Sequence, residues 1–184
     1  MEILTEPNPI LRKPTDPVED FDMGLQNLID QMVSSMRINN GVGLAAPQVG
    51  ISKKIIVCEY EAPEDSKLQG FPLTVLINPK IIYSSKEESK MVEGCLSFPG
   101  MELVVERPKK VIVIGKDRYG KDQKIETDGL HARVLQHEID HLNSTLLIDH
   151  LKEIDIVLFA TGDFATKTLE FLVKDPQYNI KLVV

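Results

Sequence analysis

Histidines at 137 and 141 flank a glutamate in the run His137-Glu138-Ile139-Asp140-His141. Residues four apart stack on one face of an α-helix, so the two imidazoles can grip one metal ion, and the glutamate between them can act as a base. A catalytic metal typically takes three protein ligands and keeps a further position open for water or substrate. Downstream of His141 only His150 and scattered acidic residues remain, none in a ligand pattern. Upstream, Glu93-Gly94-Cys95-Leu96-Ser97 sets a cysteine beside a glycine in a turn-like segment. A thiolate is a strong ligand for zinc or ferrous iron, which makes Cys95 the candidate third ligand.

These side chains need a scaffold. Leu130, Val134 and Leu135 give the histidine segment an apolar side, so a helix from about 130 to 142 carries the metal motif. A second amphipathic helix is expected over 24–38, where Leu25, Leu28, Ile29, Met32, Val33 and Met36 recur at helical spacing after the acidic Asp20 and Asp22. Its methionines read as core filling. Strand-rich runs lie at 53–60, 73–78, 80–84, 103–106, 110–116 and 124–128, and their turn residues predict a mostly antiparallel sheet. The polar stretch 61–70 is an exposed loop. Gly41-Val42-Gly43-Leu44-Ala45-Ala46-Pro47-Gln48-Val49-Gly50 is rich in small residues that would let backbone approach a ligand, but its glycine offsets do not fit a dinucleotide fingerprint. The expectation is an α+β fold, with mostly antiparallel sheets around a central metal-binding helix.

Composition narrows the function classes. The chain has 184 residues, 42% of them hydrophobic, which is enough for one packed domain with an appendage. Its two cysteines do not make a disulfide scaffold, which favours a reducing, cytoplasmic setting. No signal peptide or membrane anchor is read from the N-terminal residues. A formal net charge of -7 argues against broad nucleic-acid binding through phosphate neutralisation, so neither DNA nor a membrane is an expected partner.

Three blocks stand in order: Gly41 to Gln48, Glu93 to Ser97, and Gln136-His137-Glu138-Ile139-Asp140-His141-Leu142. Together they resemble the peptide deformylase family, over roughly residues 3 to 150. The resemblance implies a peptide-deformylase-like fold and an enzyme that removes the formyl group from the N-terminal formylmethionine of newly made proteins, releasing formate. It implies one divalent metal ion, natively ferrous iron, with zinc, nickel or cobalt able to occupy the site in preparations. Cys95, His137 and His141 would be the ligands. Glu138 would handle protons, while Gln48 and the backbone N–H of Leu96 would hold the formyl oxygen. Each role has a physical basis: metal binding acidifies water, a carboxylate can relay a proton, and preset donors suit a developing oxyanion.

For the substrate, Val42, Leu130 and Val134 are expected to wall the methionine pocket, and Gly43 and Gly94 either to open the backbone to an extended peptide or to serve ordinary turns. Asp140 is expected to pair with Arg107, and Glu93 to orient a ligand histidine. His131 and His150 lack ligand spacing and read as surface histidines; Cys58 reads as a buried strand residue. A general metallopeptidase is disfavoured by the separate Cys95 motif, and a non-catalytic binding module by the presence of both Glu138 and Gln48. Partners would be formylmethionyl nascent peptides in a bacterial cytoplasm, with an organelle the second setting.

Two features depart from the family pattern. Glu102 stands where many bacterial members carry arginine near the substrate path. Residues 151–184 form an atypical C-terminal extension beyond the 1–150 domain and read as strand, turn, helix, strand, an order that weakly resembles the opening of methionyl-tRNA formyltransferase. With few lysines against five acids, this tail is no basic ribosome-docking helix, though ribosome contact by other surfaces is left open.

Overall fold

A computed structural model describes residues 1–151, 154–157 and 178–181. It divides into two compact units, Met1–Leu147 and Ile148–Val184.

In the first unit, the unbroken apolar run Ile55-Ile56-Val57-Cys58 explains the architecture. Successive strand residues point to opposite faces, so a run with no polar alternation must be covered on both. Strand β2 (Ile55–Tyr60) is covered in that way. Ile55 and Val57 belong to one buried cluster, with Leu25, Ile29, Met32 and Met36 of helix α1 (Met23–Ile38). Ile56 and Cys58 belong to the other, with Ala132, Leu135, Ile139 and Leu142 of helix α2 (Gly129–Leu142). Cys58 is thus the buried strand residue expected, and burial holds its thiol well above its ordinary pKa. Each large aliphatic side chain fully removed from water here contributes about 1.5–3 kcal/mol.

The sheet between the helices has the order β1-β2-β3-β6-β7, built from β1 (Gly43–Ala45), β2, β3 (Phe71–Ser84), β6 (Lys110–Lys116) and β7 (Asp122–Asp128). All its pairings are antiparallel. The runs expected as separate strands at 73–78 and 80–84 are one strand. Its register shifts between Ile77 and Lys80, where Asn78 takes φ 52°. The Asn78 side chain accepts from Val18 N at 2.9 Å and donates to Val18 O at 2.8 Å, which tethers the irregularity to the N-terminal segment. Helix α1 begins as expected, with Asp22 capping Leu25 N at 2.9 Å.

A separate antiparallel hairpin joins β4 (Glu88–Cys95) to β5 (Phe98–Pro108). β4 corrects the turn-like reading of the cysteine motif: Glu93, Gly94 and Cys95 end a strand, and only Leu96 and Ser97 turn. No β-rich run marks β4, because its inward positions include the charged Glu93. The segment 61–70 is irregular and largely exposed, as expected.

In the second unit, β8 (Ile154–Val157) pairs in parallel with β9 (Tyr178–Lys181). The turn and helix expected between them lie outside the described residues.

Candidate active site

Helix α2 lies against the sheet on one side and the hairpin on the other, so most of its residues are buried, charged ones included. His137 and His141 share its face, their rings 5.1 Å apart edge to face. Cys95, at the end of β4, brings Sγ to 3.3 Å from His141 Nε2. One ligand atom from each of Cys95, His137 and His141 lies within 4.8 Å of the others, the triad expected from sequence.

Glu93 is the hub behind this triad. Its carboxylate is 3.0 Å from His137 Nδ1, which leaves Nε2 of that ring free to serve as the ligand atom. It also takes a two-pronged contact from Arg107 at 2.7 and 3.0 Å and a third from Arg133 Nη1 at 2.6 Å. Burial alone would raise the Glu93 pKa; His137 and Arg107 hold it well below the usual carboxylate range. Arg107 Nη1 continues to Asp140 at 2.7 Å. Both expected supporting contacts, Glu93 to a histidine and Asp140 to Arg107, are therefore formed. Arg133 escaped the sequence reading, although it sits one helical turn before His137, where i, i+4 spacing places it on the same face. It also donates to Val105 O and Ser89 O, tying α2 to the hairpin.

Gln48 is 2% exposed and held at both ends of its amide. Its Oε1 accepts from Ala45 N at 2.8 Å, and its Nε2 donates to Ser97 Oγ at 3.2 Å and faces Cys95 Sγ at 3.6 Å. The N-terminal segment fixes both motif loops, with Leu4 N donating to Gln48 O and Glu6 N to Ser97 O.

Glu138 points away from these ion pairs and into β1. Burial pushes its carboxyl up to about 7. His137 is carried up to about 10 despite burial, by Cys95 and Glu93, whereas burial and the neighbouring His137 push His141 down to about 3. The two ligand imidazoles are thus shifted in opposite directions, His137 toward the cation and His141 toward the neutral ring. Glu138 Oε2 and His141 Nδ1 are buried without a hydrogen-bond partner among the described residues. A thiol with two imidazoles suits a borderline divalent transition metal, so the side chains fit the ion.

The site opens into a cavity of about 910 Å³. All five residues expected to meet substrate, Val42, Gly43, Gly94, Leu130 and Val134, line it, as do Gln48, Cys95, Leu96, His137 and Glu138. Gly43 leaves room for Glu138 in a way sequence could not show: a Cβ there would lie 2.8 Å from the Glu138 Cδ, so that side chain would have to shift. Gly94 has no such crowding, its nearest neighbour being Met101 O at 3.8 Å.

His131 is corrected by the structure. It is half-buried and stacks flat on Phe71 at 4.2 Å, with Nε2 buried. Its partner lies sixty residues earlier, beyond any local pattern. His150 is half-buried.

A cysteine and two histidines able to hold a metal ion, beside a buried carboxyl at the wall of a cavity, are the equipment of a metal-dependent hydrolase. The family model described as polypeptide deformylase matches residues 1–156. The chain belongs to that family, whose members are metal-dependent hydrolases that remove the formyl group from N-terminal formylmethionine. A peptide deformylase of Thermodesulfovibrio yellowstonii is 45% identical over 159 residues, covering 86% of this chain and 93% of its own. Among solved structures, a class I type b peptide deformylase from Acinetobacter baumannii with Met-Ala-Ser bound has a TM-score of 0.78 at 34% identity, over 82% of this chain and 98% of its own. One from Synechococcus elongatus in complex with actinonin has a TM-score of 0.75 at 43% identity, over 82% and 79% of the two chains. Among the described residues no helix is long and apolar enough to cross a membrane.

Proposed function

We propose that this chain deformylates the N-terminal formylmethionine of nascent peptides, with Cys95, His137 and His141 holding one divalent metal ion. The observation that carries the division of roles is that these three ligand atoms meet within 4.8 Å, beside a buried carboxyl whose Oε2 has no hydrogen-bond partner among the described residues. Ferrous iron is the proposed native ion, with zinc, nickel or cobalt as substitutes, since thiolate and imidazole serve all of them. When bound, such an ion acidifies water and polarises the formyl oxygen.

The protein supplies the rest. Glu138, with a carboxyl near 7, is suited to take a proton from the attacking water and to return it to the departing amine. The Gln48 amide, already held by Ala45 and Ser97, and the Leu96 N–H are suited to donate to the oxygen as it gains charge; removing one such donor costs about 2.7–4 kcal/mol in barrier elsewhere. Fixing Gln48 beforehand spares reorganisation during the reaction. Val42, Leu130 and Val134 are proposed to wall the methionine pocket, and Gly43 and Gly94 to leave backbone within reach of an extended peptide.

The deformylase domain is assigned to 1–150 and an atypical extension to 151–184, where β8 and β9 pair in parallel. The setting is proposed to be the bacterial cytoplasm, with nascent chains as substrates. The test is formate release from an amidated formyl-Met-Ala peptide by protein prepared anaerobically with iron. Release at a metal-dependent rate is expected; metal-loaded protein that releases none overturns the reading.

A further inference from the structure

The charges lining the cavity are unequal in what they offer a substrate. Apart from the histidine they are Glu93, Glu102, Arg133 and Glu138. Glu93, Arg133 and Glu138 are 7%, 4% and 4% exposed, and the first two neutralise one another within the ion-pair hub. Glu102 is exposed, and its side chain forms no hydrogen bond or ion pair among the described residues. It pairs in register with Gly94, the residue before Cys95, so its Cα lies within roughly 9 Å of the Cys95 Cα. Its neighbours on that face of the hairpin are Val92, Val104, Gly94 and Gly100, none of which can neutralise it. An extended peptide advances about 3.4 Å per residue, so a chain with its formyl end at the triad that runs along this wall of the cavity would meet the carboxylate with its second or third residue.

We infer that Glu102 is a specificity-determining residue that favours formylmethionyl peptides with lysine or arginine at the second or third position over those with aspartate or glutamate. The inference rests on the deformylase reading. The mechanism is the Coulomb field of one exposed, unpaired carboxylate at the cavity wall. Its strength is set by solvent and screened by salt.

The experiment measures formate release by the metal-loaded full chain from three amidated peptides, formyl-Met-Ala-Lys, formyl-Met-Ala-Gln and formyl-Met-Ala-Glu. At low ionic strength kcat/KM for the lysine peptide is expected to exceed that for the glutamate peptide by about three- to tenfold, the scale of one exposed charge attracting one substrate and repelling the other. The ratio falls below about twofold in Glu102→Gln and at about 1 M salt. Glu126→Gln removes the same charge from an exposed residue of β7 outside the cavity lining and keeps the ratio. That control separates a local effect from the overall charge of -7. A ratio near one in the unaltered chain, or an unchanged ratio in Glu102→Gln, overturns the inference while formate release leaves the deformylase reading intact. No formate from any of the three peptides removes both.

Discussion

The Glu138 side chain fills the space a Cβ at Gly43 would take: an alanine methyl at 43 would sit 2.8 Å from the Glu138 Cδ and 2.9 Å from its Cγ. Heavy atoms do not approach so closely, so the carboxyl would have to leave its place over β1. Gly43→Ala is therefore expected to keep the metal ligands and lose rate. A fall in kcat of about 10²-fold or more is expected, since positioned acid–base groups contribute about 10²–10⁴. Metal content measured beside formate release checks this, and a variant with near-normal kcat would mean the carboxyl position is not critical.

Glu93 holds two buried arginines and one ligand imidazole. Glu93→Ala leaves Arg133 without its carboxylate partner among the described residues and takes one from Arg107, which keeps Asp140, in a site where both arginines are about 4% exposed. Breaking a buried pair from one side costs about 3–5 kcal/mol, and loss of a ligand-orienting group weakens metal binding about 10–100-fold. The expected outcome is a lower Tm together with faster metal loss to a chelator. An unchanged Tm would show that solvent reaches the hub.

Metal removal should act on stability as well as rate. An ion that binds the folded chain alone stabilises it by about 2.7 kcal/mol at a hundredfold excess over Kd. Chelation is expected to abolish formate release and lower Tm, with both restored by added metal. Cys95→Ser should need far higher metal to recover either. Calorimetry with and without chelator reads the shift directly.

Asn78 makes two hydrogen bonds to Val18 while at φ 52°, a conformation tolerated by asparagine better than by most residues. Asn78→Ala removes both bonds and adds backbone strain, for an expected loss of about 2–3 kcal/mol by denaturant unfolding. Activity at low temperature should survive, because the break lies away from the cavity lining.

Legibility from sequence divides along the range of the interactions involved. His137 and His141 were readable because helical spacing alone puts them on one face. Ile55 to Cys58 announced a strand because four apolar residues in a row need two covered faces. Asn78-Pro79 looked like a strand boundary, since the tether that carries the strand through it comes from Val18, sixty residues away. β4 went unread because its inward position holds Glu93, a charge made tolerable by Arg107 and Arg133 from two other elements. The close approach of Glu138 to Gly43 was hidden for the same reason: the approaching group is on α2. Arg133 was within reach of the i, i+4 rule and was passed over because no local pattern required a buried cation there.

The most direct measurement compares the unaltered chain with Glu138→Gln, both loaded with the same metal and assayed for formate release from a formyl-Met peptide. The amide nearly preserves shape but cannot accept and return a proton. A loss of about 10²–10⁴ in kcat at equal metal content is expected if Glu138 moves the proton. A Glu138→Gln variant that binds metal and releases formate within a few-fold of the unaltered rate would contradict that role.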